Sequence, residues 1–197
     1  MAVNREPKLK RCRALGLEPA VLGLNKKSKR QIQGRQRKMS EYGLQLKEKQ
    51  KAKFIYGVLE RQFHNYFIKA SNQNGIAGEN LLRILETRLD NVIFRLGYGR
   101  TRDEARQIVG HKLISVNGQT VNIPSYRVKT GDVIAVREKA ANLQRFKDVL
   151  ETTGTRIVPE WLSADHDKLT GAILSLPNRD QIDVPVNETL IVELYSK

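Results

Sequence analysis

The chain has 197 residues, 40% of them hydrophobic, and a formal net charge of +14 from 35 Lys and Arg against 21 Asp and Glu. That is enough apolar material for one large core or two small ones, and the excess charge points to a polyanionic partner, nucleic acid before an acidic membrane. The single cysteine, Cys12, excludes an internal disulfide and a cysteine-rich zinc site; the charged start MAVNREPKLKRCRALG lacks the apolar stretch of a secretory signal, and no apolar run has membrane-spanning length.

The charge is concentrated at the front. Residues 1–53 hold 16 Lys and Arg against four Asp and Glu, a net of +12, whereas residues 54–197 hold 19 against 17, a net of +2. Residues 1–39 show no sustained period and contain the dense basic run NKKSKRQIQGRQRK. Two readings of this head stay open: a solvated tail, or an arm that orders against phosphates, with the pieces LGL and AVLGL favouring some local packing. As an arm it offers Lys8, Lys10, Lys26, Lys27, Lys29, Arg30, Arg35, Arg37 and Lys38 to RNA.

From Ser40 to about Ala70 the spacing predicts one long helix. Ile55, Leu59, Phe63 and Tyr66 recur at helical intervals, and Val58 and Phe67 widen the stripe. Its beginning is basic: Lys47 and Lys51 lie four apart, as do Lys49 and Lys53, and Arg61 follows two turns later. SNQNGIAG (Ser71–Gly78) is a turn cluster that stops it. ENLLRILETRLDNVIFRLG (Glu79–Gly97) reads as helical again, with a break and a domain boundary expected near Thr87 or Arg88.

Thr101-x-x-Glu104 has the capping-box pattern, so a helix is expected to start at Arg102 with Ala105, Ile108 and Val109 inward. Arg102 and Arg106 are four apart and are expected on the opposite, exposed face. His111, Lys112 and the Asn117–Gly118 turn extend this into a multi-donor anion site; the competing reading is a solvated charged face. LISVNGQTVNI carries the strongest short hairpin signal, Asn-Gly between two β-rich runs, and KTGDVIAVRE supplies a third strand. KAANLQRFKDVLETTGTRIVPEWL then reads as a helix and a loop. KLTGAILSLPNRDQIDV reads as a hairpin turning at Pro177–Asp180. PVNETLIVELYSK reads as a terminal helix capped by Asn187 with Leu190, Ile191 and Leu194 inward. The class is α+β.

Catalytic patterns are missing. His64, His111 and His166 are the only histidines, and no HxxxH, HExxH, CxxC, GxSxG or phosphate-loop spacing occurs. The acidic turn ADHD reads as solvated, and Cys12 as an incidental thiol between Arg11 and Arg13. No enzyme, cofactor, metal or small-molecule substrate is expected, and no membrane.

The stretch RLDNVIFRLGYGRTRDEARQIVGHKLISVNGQTVNIPSYRVKTGDVIAV resembles the S4 RNA-binding domain, a small ααβββ module of the alpha-L type. That module occurs in several RNA enzymes, so the flanks decide. EYGLQLKEKQKAKFIYGVLERQF, GENLLRILETRLDN and NETLIVELYSK are similar to the bacterial S4 family of small-ribosomal-subunit proteins, from about Ser40 to the end. An RNA-modifying enzyme carrying the same module would need a catalytic domain, and roughly 40 residues after it are too few. A stress-type RNA-binding protein would not need the long N-terminal half.

The resemblance implies a mostly helical domain with the module inserted: an arm at 1–39, a discontinuous helical domain at 40–88 plus 170–197, and the module with its trailing helix and loop at 89–169. It implies a primary binder of small-subunit ribosomal RNA at a junction in the five-prime domain, with Tyr42, Gln50, Arg100, Gln107, Ser125 and Tyr126 joining the basic residues already named. It also implies a contact with small-subunit protein S5 that affects decoding accuracy, through Glu188, Glu193 and Tyr195. A position beside mRNA where it enters the ribosome, and in some bacteria repression of the protein's own message, follow from the same likeness. The implied location is the small subunit in the cytoplasm, with a plastid stroma left open as the lesser alternative. Many family members carry a four-cysteine zinc site near the N-terminus; with Cys12 alone, this is a zinc-free form.

Overall fold

In the computed structural model, residues 6–26, 39–141 and 143–196 are described. The chain divides into two units, Met1–Leu82 with Asp183–Lys197, and Arg83–Ile182.

The first unit is helical. Its elements are α1 (Lys8–Leu15), a 3-10 turn (Pro19–Leu22), α2 (Glu41–Ile55), α3 (Glu60–Ser71), the first part of α4 (Ala77–Glu86) and α9 (Glu188–Tyr195). Ser40 caps α2 by accepting from the Gly43 amide. The long helix expected over 40–70 is two helices. Gly57 sits at φ 62, and the Val58 amide turns back to the Lys53 carbonyl at 2.9 Å, which closes α2 in the left-handed manner that glycine allows. The apolar period runs on across this bend because Tyr56 and Val58 are also buried, so spacing alone reads straight through it.

Part of the basic head is folded as well. Cys12, Leu15, Leu17 and Leu22 are buried, the Arg11 guanidinium donates to Gln50 at 3.1 Å, and the Lys8 ammonium lies 5.4 Å from the centre of the Phe54 ring. Four apolar side chains spread over eleven residues make no visible period, although they suffice to seat α1. At the other end of the chain, Asn187 caps α9 through the Thr189 amide, Ile191 is fully buried, and Leu190 and Leu194 are half-buried. α9 packs on α2.

The second unit is α+β. The end of α4 leads into α5 (Leu89–Arg95), α6 (Arg102–Gly110), β1 (Ile114–Val116), β2 (Gln119–Val121), β3 (Val133–Val136), α7 (Glu138–Ala141), α8 (Gln144–Thr153), β4 (Leu162–Asp165) and β5 (Thr170–Ile173). The break falls at Thr87–Arg88, where the Thr87 hydroxyl caps the Arg83 carbonyl at 2.9 Å and Arg88 bridges to Arg127. Thr101 caps α6 by accepting from Glu104. Ala105, Ile108 and Val109 pack fully buried with Leu89, Val92, Ile93 and the inward residues of the sheet. Asn117 (φ 50) and Gly118 (φ 79) make the primed turn that sets Val116 opposite Gln119 and Ile114 opposite Val121.

The sheet has five strands in the order β2-β1-β3-β5-β4, every pairing antiparallel. The hairpin expected around Pro177–Asp180 lies earlier. β5 pairs with β4 before it, Leu162 opposite Ile173, and 177–180 runs instead into a 3-10 turn at Arg179–Gln181. The alternation of 170–173 is real, but its partner is the strand after Trp161. Because β5 also pairs with β3, the chain parts at 82/83 and 182/183, while the sequence-based limits stand at 88/89 and 169/170.

Gly171 marks a close approach within this sheet. A Cβ there would stand 2.7 Å from both methyls of Leu96 and 3.0 Å from the Ser163 carbonyl, and Leu96 is fully buried. Gly171→Ala is expected to destabilise the protein by about 1–3 kcal/mol through overpacking. Denaturant unfolding of the variant beside wild type checks this; coincident curves would refute the crowding argument.

Candidate nucleic-acid interface

The two arginines of α6 do not share an exposed face. Arg102 is 8% exposed; its Nε donates to Asn91 Oδ1 at 2.8 Å, and its guanidinium lies 4.2 Å from the centre of the Phe94 ring. Arg106 is half-buried and reaches Asp90 at 3.9 Å. Both turn toward α5 because α5 presents unusual partners for a helix this deep. Asp90 is held by Arg88. Asn91 Nδ2 donates to Glu86 Oε2 at 2.7 Å. Glu86 takes Arg95 in a two-point grip, at 3.1 and 3.0 Å. A capping pattern and a four-residue spacing locate these arginines on one helical strip, but they do not reveal a carboxylate-bearing neighbour under it.

Arg156 completes the cluster. It donates to the carbonyls of Phe94 at 2.8 Å, Gly99 at 3.2 Å and Arg100 at 3.0 Å, and its guanidinium lies 4.3 Å from the centre of the Phe94 ring. Burial lowers its pKa, with Arg95 adding to the effect. It fastens the α5–α6 loop. Arg100, in that loop, is exposed and paired bidentately with Glu104, at 3.2 and 3.1 Å.

An open basic rim remains at the end of α6. His111 and Lys112 are exposed, and Lys112 holds a left-handed φ of 61. Arg137, directly after β3, donates to the Lys112 carbonyl at 3.1 Å, which brings a second basic side chain beside Lys112 to the same corner. Arg145 reaches Gln107 at 3.2 Å. Neither Arg137 nor Arg145 is marked by periodicity; the only hint is the basic step VREKA after the third strand. Asn117 is exposed, and Tyr126 follows at the surface with the half-buried Ser125.

In the helical unit, the lysines of α2 are largely engaged. Lys49 and Lys53 both bind Glu60, at 2.9 and 2.7 Å, and the Tyr195 hydroxyl donates to the same carboxylate at 2.9 Å. Lys51 pairs with Glu48, whose other oxygen accepts from the Asn187 amide at 3.0 Å. Lys47 is half-buried, while Lys10, Lys26, Tyr42 and Arg61 are exposed. Tyr195 stacks on Phe67 at 4.6 Å under the Lys49 ammonium at 5.2 Å, and Glu193 accepts from Gln45 at 3.1 Å, so these residues expected at a protein interface already have partners in the chain. Glu188 packs beside Gly78, where a Cβ would meet it at 2.8 Å. Lys27, Lys29, Arg30, Arg35, Arg37 and Lys38 lie outside the described residues.

Burial alone would raise the Glu60 pKa, but hydrogen bonds from Lys53, Lys49 and Tyr195, with the charge of Lys53, outweigh it and hold the carboxyl at about 2. A folded pKa below the unfolded one contributes stability above the ordinary glutamate range, and that contribution is lost as pH falls through about 2. The Glu60 carboxyl, followed by NMR in an acid titration, is expected to turn over near 2. A midpoint in the ordinary glutamate range would mean that the lysine grip is absent in solution.

Among the described residues, no group of three or more His, Cys, Asp or Glu could hold a metal ion, and no helix is long and apolar enough to cross a membrane.

A helical unit with a lysine-bearing helix and an ααβββ module with a cationic rim have, in one chain, the makings of an RNA-binding protein. Residues 3–86 match the family model described as ribosomal protein S4/S9 N-terminal domain, and residues 87–134 match the S4 domain. The chain is 64% identical over 197 residues to small ribosomal subunit protein uS4 of Agathobacter rectalis and 65% identical over 198 residues to that of Lachnoclostridium phytofermentans, covering all of both chains in each case. It is 58% identical over 163 residues to uS4 of Pseudomonas aeruginosa, covering 83% of this chain and 79% of the relative. The chain belongs to the uS4 family of structural, non-catalytic ribosomal proteins.

Proposed function

We propose that this protein binds small-subunit ribosomal RNA at a multi-helix junction of the five-prime domain early in subunit assembly. The observation that carries the reading is identity of 64–65% to small-subunit uS4 proteins along the whole chain. The corner formed by His111, Lys112 and Arg137 supports it, because three cationic or polar side chains at an open helix end suit phosphate contacts that position without reading sequence. Lys47, Arg61, Tyr42 and the basic head add contacts from the helical unit. Lys49 and Lys53 join them by sharing their ammonium protons between Glu60 and phosphate. The exposed edge of α9 meets protein S5 and so influences decoding accuracy. The subunit sits in the cytoplasm, or in the stroma of a plastid, with this protein beside mRNA where it enters the ribosome, and the free protein represses its own message.

The test is sedimentation in high salt. Stoichiometric migration with the small subunit is the expected result, and a protein found only in the free pool would sink the proposal. With the five-prime-domain RNA alone, Lys112→Ala with Arg137→Ala should lower affinity and make the slope of log affinity against log salt shallower by roughly one per lost contact.

A further inference from the structure

The sequence holds two Asn-Gly pairs, Asn74–Gly75 and Asn117–Gly118, and the fold treats them in opposite ways. We propose that Asn74 is a covalent modification site, converted by intramolecular deamidation with water as co-reactant, and that Asn117 is guarded from the same reaction by its hydrogen bonds.

The chemistry is closed on itself. The backbone nitrogen of the glycine attacks the asparagine Cγ; an N–Cγ bond forms, the Cγ–Nδ2 bond breaks, and the side-chain nitrogen leaves as ammonia with the proton of the backbone amide. Water then opens the resulting succinimide at either carbonyl, giving aspartate or isoaspartate. No electrons are exchanged. Glycine favours the first step because no Cβ shields its nitrogen.

Both asparagines are exposed, so exposure does not separate them. Asn117 is held at both ends of its carboxamide. Nδ2 donates to Asp132 Oδ1 at 2.9 Å, and Oδ1 accepts from the Val133 amide at 2.9 Å. Its Cγ swings toward Gly118 only after both bonds break, one of them to a charged group. Asn74 lies in the bend between α3 and α4, and among the described residues its carboxamide meets no hydrogen-bond partner. The glycine after it has φ 102 and open space around it, the nearest atom to a built Cβ being Asn80 Nδ2 at 3.9 Å.

The modification has a structural consequence. The Asn74 carbonyl accepts from Asn80 Nδ2 at 3.2 Å, and that buried amide also reaches the carbonyl of Ala70 at 3.4 Å. Isoaspartate inserts a methylene into the main chain at this point, which moves the carbonyl off Asn80 and loosens the α3–α4 turn; either product adds a negative charge there.

The full chain, free of RNA, is incubated at mildly alkaline pH and its peptides are followed by mass, with isoaspartate labelled by a carboxyl methyltransferase. Conversion at Asn74 is expected to outrun that at Asn117 by at least about tenfold, since the bonds holding Asn117 must be broken first. Asp132→Ala should speed Asn117 and leave Asn74 unchanged. In urea the wild-type rates at the two sites should converge, a comparison that needs no variant to fold. Equal rates in the folded chain, a faster Asn117, or a silent Asn74 in the folded chain would each overturn the proposal.

Discussion

Glu86→Ala is expected to destabilise the protein by about 3–5 kcal/mol, because it strips a buried cation of its counter-charge. Glu86 is fully buried. Its two oxygens take both hydrogen bonds of the Arg95 grip, and one also takes the Asn91 amide. With alanine, the Arg95 guanidinium stays enclosed with a cavity where its partner stood, and Asn91 loses an acceptor. Glu86→Gln keeps the volume and one acceptor oxygen and should cost less. Urea unfolding of both variants beside wild type checks the order. An alanine variant within about 1 kcal/mol of wild type would mean that Arg95 finds water or another acceptor at little cost, and that the pair is not held dry.

Arg102→Ala is expected to cost about 2–3 kcal/mol, from an orphaned Asn91 oxygen and a lost cation–ring contact with Phe94. A solvated arginine would cost almost nothing, so near-neutral stability would refute the buried placement. The outcome also decides how affinity data should be read. Weaker RNA binding by this variant would report damage to the module, whereas Lys112→Ala acts on an exposed side chain and tests contact directly.

Arg102 shows where the sequence stops being legible. Its helix, its cap and its buried neighbours Ala105, Ile108 and Val109 all follow from spacing, as do the Asn117–Gly118 hairpin, the break at Thr87 and the Asn187 cap of α9. Each depends on residues within one or two turns of one another. The direction of the Arg102 side chain depends on Asn91 and Phe94, on a different helix, and no local pattern carries that information. The same limit explains the bend at Gly57, where burial continues on both sides, and the placing of β5, which pairs with β4 and with β3. It explains Arg137 too, which joins Lys112 only because β3 ends beside the last turn of α6.

Lys112 carries a cost of its own. A left-handed backbone suits glycine and burdens any residue with a Cβ by about 1 kcal/mol, yet a lysine stands there, its carbonyl pinned by Arg137. On the proposed reading of this corner, charge has outcompeted conformational ease at one residue. Efforts to harden the protein by placing glycine at 112 would then trade thermal tolerance against grip on RNA, and variants ranked by melting temperature alone would rank this position backwards.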